Sequence, residues 1–540
     1  MIFDLIRKRN GNWKDDTLSG LTVALALVPE AIAFSFIAGV GPLVGLWAAV
    51  FMGLITSGFG GRPGMISGST GAIAIVVAVV VREGNKHGLE MGIEDLGLQY
   101  LFAVIMIAGL IQILFGVARL GRFIRLVPHP VMMGFVNGLA IVILIGQFGF
   151  FKTPLMEGGA AVFKDGQKVM TWMNQSDIMV MAMLALLTMA IIHFLPKLTN
   201  AVPSILVAIL VVGGISYSGL LETKTISDVL FEGWGSRVLE DSLPVFSFPT
   251  DIPWGQEGVA ILIIGTAFSA AMVGIIESLM TLQLIDDMTE TRGSGNRECL
   301  AQGGANFLSG MFGGMGGCAM IGQSLINIKS GGRGRWSGIV AALTLAIFIL
   351  VGGPLIVEIP VAALVGVMFM VVIGTFEWST LKTFGRVPLS EIFVIIAVTL
   401  ITVFMHNLAL AVLTGVILSA LVFAWESAKH VRLRRDDSQD GVRIYNLQGV
   451  LYFGSVREFG ERLVPSNDPD EVIIDFKEAR VADFSSLEAL NAITERYKTA
   501  GKRVRLRHLS PACAKMIDSA SDLVEVEVAD DDPHYEPANL

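Results

Sequence analysis

The chain has 540 residues, of which 53% are hydrophobic and 16% charged, against about 25% charged in ordinary soluble domains. A mean hydropathy of +0.66 excludes a soluble enzyme or soluble binding module and points to a polytopic membrane protein. The formal charge of −9 sits largely in the C-terminal segment and the outer loops, so it says little about a path through the membrane.

In chain order, residues 1–15 form an expected cytoplasmic N-terminus, with Arg7, Lys8, Arg9 and Lys14 ahead of the first apolar run. That run continues as a spanning helix and has no small-residue cleavage site, so it is not read as a removable signal peptide. The first segment, at about 17–39, has Pro29 and Glu30 at its middle. Proline there removes a helical hydrogen bond and bends the helix, and a carboxylate at that depth is a functional hypothesis by default. A second segment spans about 43–60. Then comes GGRPGMISGSTGAIAIVVAVVV, Gly60 to Val81, a Gly-rich approach leading into a short apolar segment, Ala72–Val81, that closes on Arg82. A polar loop at 82–97 follows, then segments at about 98–118, 128–147, 178–195 and 201–217, and an irregular acidic stretch to about 255.

A second set begins with segments at about 257–282 and 298–312. Next, GGMGGCAMIGQSLINI, Gly313 to Ile328, repeats the earlier device: a Gly-rich approach, then Cys318–Ile328 closing on Lys329. Segments at about 336–353, 360–376, 391–405 and 407–426 complete it. At 1.5 Å per residue, ten or eleven apolar residues cover half of a roughly 30 Å hydrocarbon core. Each short segment therefore reads as a half-helix that starts near the bilayer midplane. Two such segments at matching places in two halves are the best sequence pointer to a transporter's binding site. Their facing N-termini present unpaired N–H groups and positive dipole ends, which suit an anion.

The count is two groups of seven, and Ser57-Gly-Phe-Gly-Gly before the first half-helix echoes Ser309-Gly-Met-Phe-Gly-Gly before the second. Seven is odd, so the second copy enters the membrane in the opposite sense and an inverted repeat follows. Arg119, Arg122, Arg125, Lys197, Lys329, Arg333, Arg335, Lys382 and Arg386 all fall on the N-terminal side of that threading, which makes both termini cytoplasmic. The resulting division is repeat one at 16–220, an extracytoplasmic linker at 221–255, repeat two at 256–428 and a basic juxtamembrane linker at 429–440. After it come a small α/β domain at 441–525 and a disordered tail at 526–540. In the α/β domain EVIIDF (471–476) reads as a strand, and 487–509 as a helix, a C-cap at Gly501 and a second strand.

With these features in place, the chain resembles the SulP anion transporters, a family of sulfate permeases, cyanobacterial bicarbonate carriers and prestin-type exchangers. The resemblance covers about residues 10–525 and is firmest from Glu277-Ser-Leu-Met-Thr281 through Asn327-Ile-Lys-Ser-Gly-Gly332. The tail is similar to a STAS domain, and Asp483-Phe-Ser485-Ser-Leu matches the D-x-S loop phosphorylated in anti-sigma antagonists. What the resemblance implies is a polytopic α-helical membrane protein: a UraA-like 7+7 transmembrane inverted repeat with core and gate domains, plus a small α/β STAS domain. It also implies a homodimer, and a site between the third and tenth segments beside the first and eighth. The chain departs from the commoner pattern at Gln323, where many relatives are basic, at Glu30, where they often have Gln or an apolar residue, and at Ile321, where sodium-coupled bicarbonate carriers have Thr.

The substrate candidates are Glu30 and Phe34 on the first segment; Ser69, Thr70, Gly71 and Ala72 at the first half-helix; Glu277 and Thr281 on the eighth segment; and Ala319, Met320, Ile321 and Gln323 at the second half-helix. Backbone N–H groups there would replace an anion's water, with Ser69 and Thr70 adding hydroxyl donors. The alternative is glycines that only let helices cross. Two carboxylates and an anion cannot all stay charged in low dielectric without a cation. Glu277, with Thr281 one turn on, is therefore the candidate for the coupling ion, H⁺ or Na⁺. The competing reading makes Glu277 a structural carboxylate and sets Glu30 at the core–gate seam. Phe34 either lines the cavity or simply packs. Asn137 and Gln147 are read as interhelical hydrogen-bonding amides, Asp286 and Asp287 as solvated, and His129, His193 and His406 as non-ligands.

Ser485 is the candidate for regulatory phosphorylation; its alternative is a helix N-cap completed by Glu488 three residues on. Cys299, Cys318 and Cys513 form no CxxC, disulfide framework or zinc cluster, and Cys318 reads as a small packing residue. No GxxxxGK[ST] loop and no nucleophile–base set occur, so ATP-driven transport and enzymatic activity are not expected, nor is any cofactor, metal or nucleic-acid partner. The expectation is a multi-pass protein of the cytoplasmic (inner) membrane, contacting lipid, that carries a small inorganic anion (sulfate or bicarbonate) with H⁺ or Na⁺ by an elevator mechanism. A cytoplasmic regulator at the STAS domain would complete its partners. The rivals are a proton-coupled carrier of organic anions such as dicarboxylates or nucleobases, and a membrane sensor or scaffold signalling through the STAS domain.

Overall fold

The computed structural model describes residues 12–122, 127–157, 160–161, 163–164, 167–199, 203–234, 243–405, 408–429, 431–439, 441–519 and 527–528. Arg7, Lys8, Arg9, Arg125, His406 and most of the tail at 526–540 lie outside these residues. The chain divides into two compact units, Met1–Val416 and Ile417–Leu540.

Among the described residues, two sets of seven helices, one before and one after residue 250, build the membrane-spanning part. They are α1 (Trp13–Ala38), α2 (Pro42–Phe59), α3 (Gly71–Met91), α4 (Leu96–Val117), α5 (His129–Gln147), α6 (Gln175–Leu198) and α7 (Ser204–Tyr217), then α8 (Val259–Thr289), α9 (Gly295–Met311), α10 (Ile321–Lys329), α11 (Arg335–Val357), α12 (Val361–Thr375), α13 (Leu389–Met405) and α14 (Leu408–Lys429). Among the described residues nine helices are long and apolar enough to cross a membrane, α1 through α12 supplying most of them, and Ser204–Tyr217 and Leu389–Met405 are shorter apolar helices. Short β-hairpins join α5 to α6, and the expected irregular stretch before α8 contains a helix at Ile226–Trp234.

Helix packing separates two layers. In the core layer α4 lies along α9, α3 and α8, while α11 lies along α1 and α2. In the gate layer α5 packs on α13, and α6 packs on α12 and α7. Asn137 performs its expected role there: its amide donates to Thr380 Oγ1 at 2.8 Å and its oxygen accepts from Glu377 N at 2.8 Å. Gln147 does not, since its nitrogen bonds Ile143 O in its own helix at 3.2 Å. Asp286, expected to be solvated, pairs with the buried Arg62 at 2.9 Å and accepts from Gly293 N, because α8 runs on to Thr289 and carries it into the loop before α9.

Both half-helices differ from expectation in length. The first begins at Gly71 but does not end at Arg82; it continues to Met91 and stops where Gly92 adopts φ 70°. Nothing between Arg82 and Met91 breaks it: there is no proline, and the polar residues continue the helix instead of forming the expected loop. The second is shorter than expected. Cys318 and Ala319 form an extended strand, and the helix starts only at Ile321.

In the second unit five strands, β3 (Arg432–Gln439), β4 (Val442–Leu451), β5 (Glu471–Val481), β6 (Arg503–Arg507) and β7 (Glu527–Val528), stand in the order 7-6-5-4-3. The pairs β4–β5, β5–β6 and β6–β7 are parallel, while β3 is an antiparallel edge. Residues 432–439 thus form a strand where a basic linker is expected; an edge tolerates their charges, and Leu433 packs toward the core. Buried Asp468 fixes the loop before β5, accepting from Arg443 at 2.6 Å, from Tyr445 at 2.8 Å and from the Tyr497 hydroxyl. Burial, followed by that bond to Asp468, pushes the Tyr445 hydroxyl up to about 12.

The helix that follows, α16 (Phe484–Thr499, after α15, Val456–Arg462), is capped by Asp483, whose carboxylate accepts from Ser486 N at 3.0 Å. Ser485 is therefore not the N-cap. It lies inside the first turn, and Asp483 wins the capping position with bonds from both Ser486 and Phe453 N.

Candidate functional site

The two Gly-rich approaches meet. Strand β1 (Ser67–Gly68) pairs antiparallel with β2 (Cys318–Ala319), setting Ser67 opposite Ala319 and Gly68 opposite Cys318. The ladder is extended by Met320 N donating to Ile66 O at 2.9 Å. Because the strands are antiparallel, the chain leaves them in opposite directions into α3 and α10. The Thr70 and Met320 side chains leave the first turns of those helices uncapped. Their free N–H groups and positive ends therefore lie on either side of one short ladder.

Polar side chains hold this crossing from behind. Asn306 brackets Gly317, donating to its carbonyl at 3.0 Å and accepting from its N–H at 2.8 Å, and also donates to Gln112 Oε1 at 2.9 Å. Gln302 bonds Ser67 Oγ and Glu298, each at 2.8 Å. Ser278 accepts from Ala319 N at 3.1 Å. Glycine is required at 317, where a Cβ would meet Gly68 O at 1.9 Å.

Around the crossing the candidates divide. At Gly71 the first backbone unit of α3 touches Phe34 of α1 and Ile143 of α5, so closely that a Cβ would lie 2.9 Å and 2.8 Å from them. Phe34 is thus placed beside the helix start, buried at 3% exposure. Ala72 and Ala319 are fully buried, and Met320 packs over Gly68. The Thr281 hydroxyl donates to Glu277 O at 2.8 Å, so it turns back to its own helix and not toward the carboxylate. Glu277 accepts at 2.9 Å from Cys318 Sγ, which also contacts Thr70 Oγ1 at 3.1 Å. The sequence reading missed this bridge, since a thiol among glycines carries no polar signal. It missed Ser278 too, although the residue adjoins Glu277.

At the crossing, Ser69 Oγ and the side-chain amide oxygens of Gln302 and Gln323 have no hydrogen-bond partner among the described residues. Glu30, at 5% exposure, is set against Gln323. Neither Glu30 nor Glu277 faces a cationic partner among the described residues. Beside Glu30, between core and gate layers, lies a cavity of about 650 Å³. Glu30, Ile321 and Gly322 border it, Met132, Met280 and Met370 give it an apolar wall, and Lys329, His129 and Glu377 also line it. Lys329 and His129, read from the sequence as the residue closing the second half-helix and as a non-ligand, both border this cavity.

Residues 13–398 match the model of the sulfate permease family, and residues 435–528 match the STAS domain. A Bacillus subtilis (strain 168) protein named "Putative sulfate transporter YbaR" is 40% identical over 517 residues, covering 95% of this chain and 98% of its own. A Picosynechococcus protein, "Bicarbonate transporter BicA", is 30% identical over 90% of this chain and 87% of its own. Among solved structures, the transmembrane domain of a cyanobacterial BicA superposes with a TM-score of 0.59 at 30% identity, covering 75% of this chain and 97% of that one. Murine Slc26a9 superposes with a TM-score of 0.75 at 18% identity over 95% of this chain and 88% of its own, a likeness of fold alone. The architecture is the UraA-like 7+7 repeat with core and gate layers and a C-terminal STAS domain.

Proposed function

The chain belongs to the sulfate permease family, and from that premise we propose that it is a secondary active carrier of a small inorganic anion, sulfate or bicarbonate. The observation that carries this reading is the β1–β2 crossing. It sets two uncapped helix starts side by side, with buried Ser69 and Gln323 next to them and an open cavity bordering the α10 start at Ile321 and Gly322. Such a place offers N–H donors and dipole ends to a dehydrated anion. Gly71, Ala72, Ile321 and Gly322 would supply the donors, Phe34 would wall the site, and Glu30 would border it.

Two buried carboxylates without cations favour coupling to H⁺ or Na⁺, because neutralising one of them lowers the cost of loading an anion. Glu277 is our coupling residue. Thr281 serves it less directly, its hydroxyl being bound to the backbone. Transport would proceed by the core layer moving against the gate layer, which alternates access without dismantling the crossing. The protein would work as a homodimer in the cytoplasmic membrane with both termini inside, its STAS domain receiving a cytoplasmic regulator and Ser485 open to phosphorylation. The apolar wall of the cavity, formed by Met132, Met280 and Met370, supports one rival: a carrier of organic anions. Uptake by proteoliposomes of labelled sulfate, bicarbonate, chloride and fumarate, with pH and Na⁺ gradients varied, tests the reading. Saturable, gradient-driven uptake of an inorganic anion is expected. Uptake of fumarate alone would favour the rival, and no uptake of any anion would refute both.

A further inference from the structure

The groups left unpartnered at the crossing are of two kinds, and their mixture says which anions fit. The helix starts at Gly71 and Ile321 and the Ser69 hydroxyl are donors. Gln323 is different. It is 1% exposed, its amide nitrogen is turned to the Glu30 carboxyl, and its amide oxygen has no partner among the described residues. With the amide nitrogen toward Glu30, the Gln323 oxygen remains an acceptor to be satisfied. Glu30, set against Gln323 and bordering the cavity, offers at least one more acceptor oxygen in either protonation state. A site made only for a fully deprotonated oxyanion would need none of these. Sulfate and nitrate have only lone pairs to present, and a buried acceptor facing a lone pair stays unpaired, which is the costly arrangement. An oxyanion with its own O–H offers lone pairs to the helix starts and a proton to the acceptors, so every buried group finds a partner.

We propose that this site selects hydroxyl-bearing oxyanions, the class of bicarbonate and the hydrogen phosphates, over fully deprotonated ones, with Gln323 and Glu30 accepting the ligand's hydroxyl. The inference rests on the anion-carrier reading above and narrows it. It also gives Gln323 a role distinct from that of a generic polar neighbour: it is the acceptor that discriminates.

Bicarbonate and nitrate make the decisive pair. Both are planar, singly charged and similar in size, and they differ in the hydroxyl. Calorimetric titration of the purified full-length protein at fixed pH and ionic strength, with bicarbonate, nitrate and sulfate in turn, measures the preference directly. Bicarbonate is expected to bind at least about tenfold more tightly than nitrate or sulfate, as expected of a site whose buried polar groups need the ligand's hydroxyl. In Gln323→Met, of nearly the same volume, that ratio should fall to within about threefold, chiefly through weaker bicarbonate binding. Nitrate or sulfate binding as tightly as bicarbonate to the unaltered protein overturns the proposal while leaving an anion site in place. A Gln323→Met protein that melts normally and keeps the full ratio overturns the role of Gln323. Binding of no anion at all refutes the carrier reading itself, and this inference with it. If Gln323→Met fails to fold, the ratio in the unaltered protein still decides: about tenfold or more in favour of bicarbonate supports the proposal, and a ratio within about threefold overturns it.

Discussion

Gly317 lies so close to Gly68 that a Cβ on it would meet the Gly68 carbonyl oxygen at 1.9 Å. Two glycine backbones in contact, inside the membrane unit, are what bring the starts of α3 and α10 together. Gly317→Ala must push the strands apart or distort them. Overpacking of this kind costs about 1–3 kcal/mol. We expect the full-length variant to melt several degrees lower in detergent and to lose anion uptake. A variant that melts and transports like the unaltered protein would show that the crossing tolerates separation.

Cys318 links Glu277 and Thr70 through contacts of 2.9 Å and 3.1 Å. Cys318→Val would leave the Glu277 carboxyl and the Thr70 hydroxyl buried without that partner, at a cost of roughly 1–3 kcal/mol. Cys318→Ser keeps a donor and should lose much less. Thermal melting of the two variants side by side checks this; equal stability would reduce Cys318 to a packing residue.

Coupling is a separate matter from binding. In Glu277→Gln the carboxylate is replaced by an amide of similar shape, so anion exchange down a gradient should survive. Accumulation driven by a pH or Na⁺ gradient should be abolished. Full uptake in that variant, with pH and Na⁺ dependence unchanged, contradicts the assigned role.

In the STAS domain, burial works against the charge of Asp483, but the hydrogen bonds from Ser486 and from Phe453 N outweigh it and hold the carboxyl below its usual range. A group whose folded pKa is depressed stabilises above its unfolded pKa, and that contribution is lost as pH falls through the folded value. The domain should therefore lose stability on the acid side, below about pH 4, and Asp483→Asn should flatten that limb. Loss of the cap in Asp483→Ala should cost about 1 kcal/mol, whereas Ser485→Ala should stay within about 0.5 kcal/mol. Urea unfolding of the full chain, followed by a probe in this domain, separates the two; a larger effect at Ser485 would restore it as the cap.

Much of this arrangement was legible in the residues. Runs of apolar side chains gave the helices, and the Gly-rich approaches at 60–71 and 313–322 marked where two of them start inside the membrane. The far end of α3 was not legible, because an apolar count stops at Arg82 while a helix stops only where the backbone is broken, here at Gly92. The two-residue strands were not legible either: Ser67–Gly68 and Cys318–Ala319 have no local strand signal and pair only because tertiary packing aligns them. For the same reason Cys318 looked inert. Asp483 and Ser485 compete for one cap, and the bond from Phe453 N, thirty residues away, adds to those from Ser486 in favour of Asp483.

If helix-start N–H groups at the edge of the cavity hold the anion, Gly322 is the residue at which blocking them shows it. It borders the cavity, and a Cβ there would meet no atom within 4 Å, so a side chain can be added without disturbing the fold. Equilibrium binding of labelled bicarbonate and sulfate to purified Gly322→Val should be weakened at least about tenfold, roughly 1.4 kcal/mol, with an unchanged melting temperature. Undiminished affinity in a normally folded Gly322→Val protein would mean that the anion sits elsewhere.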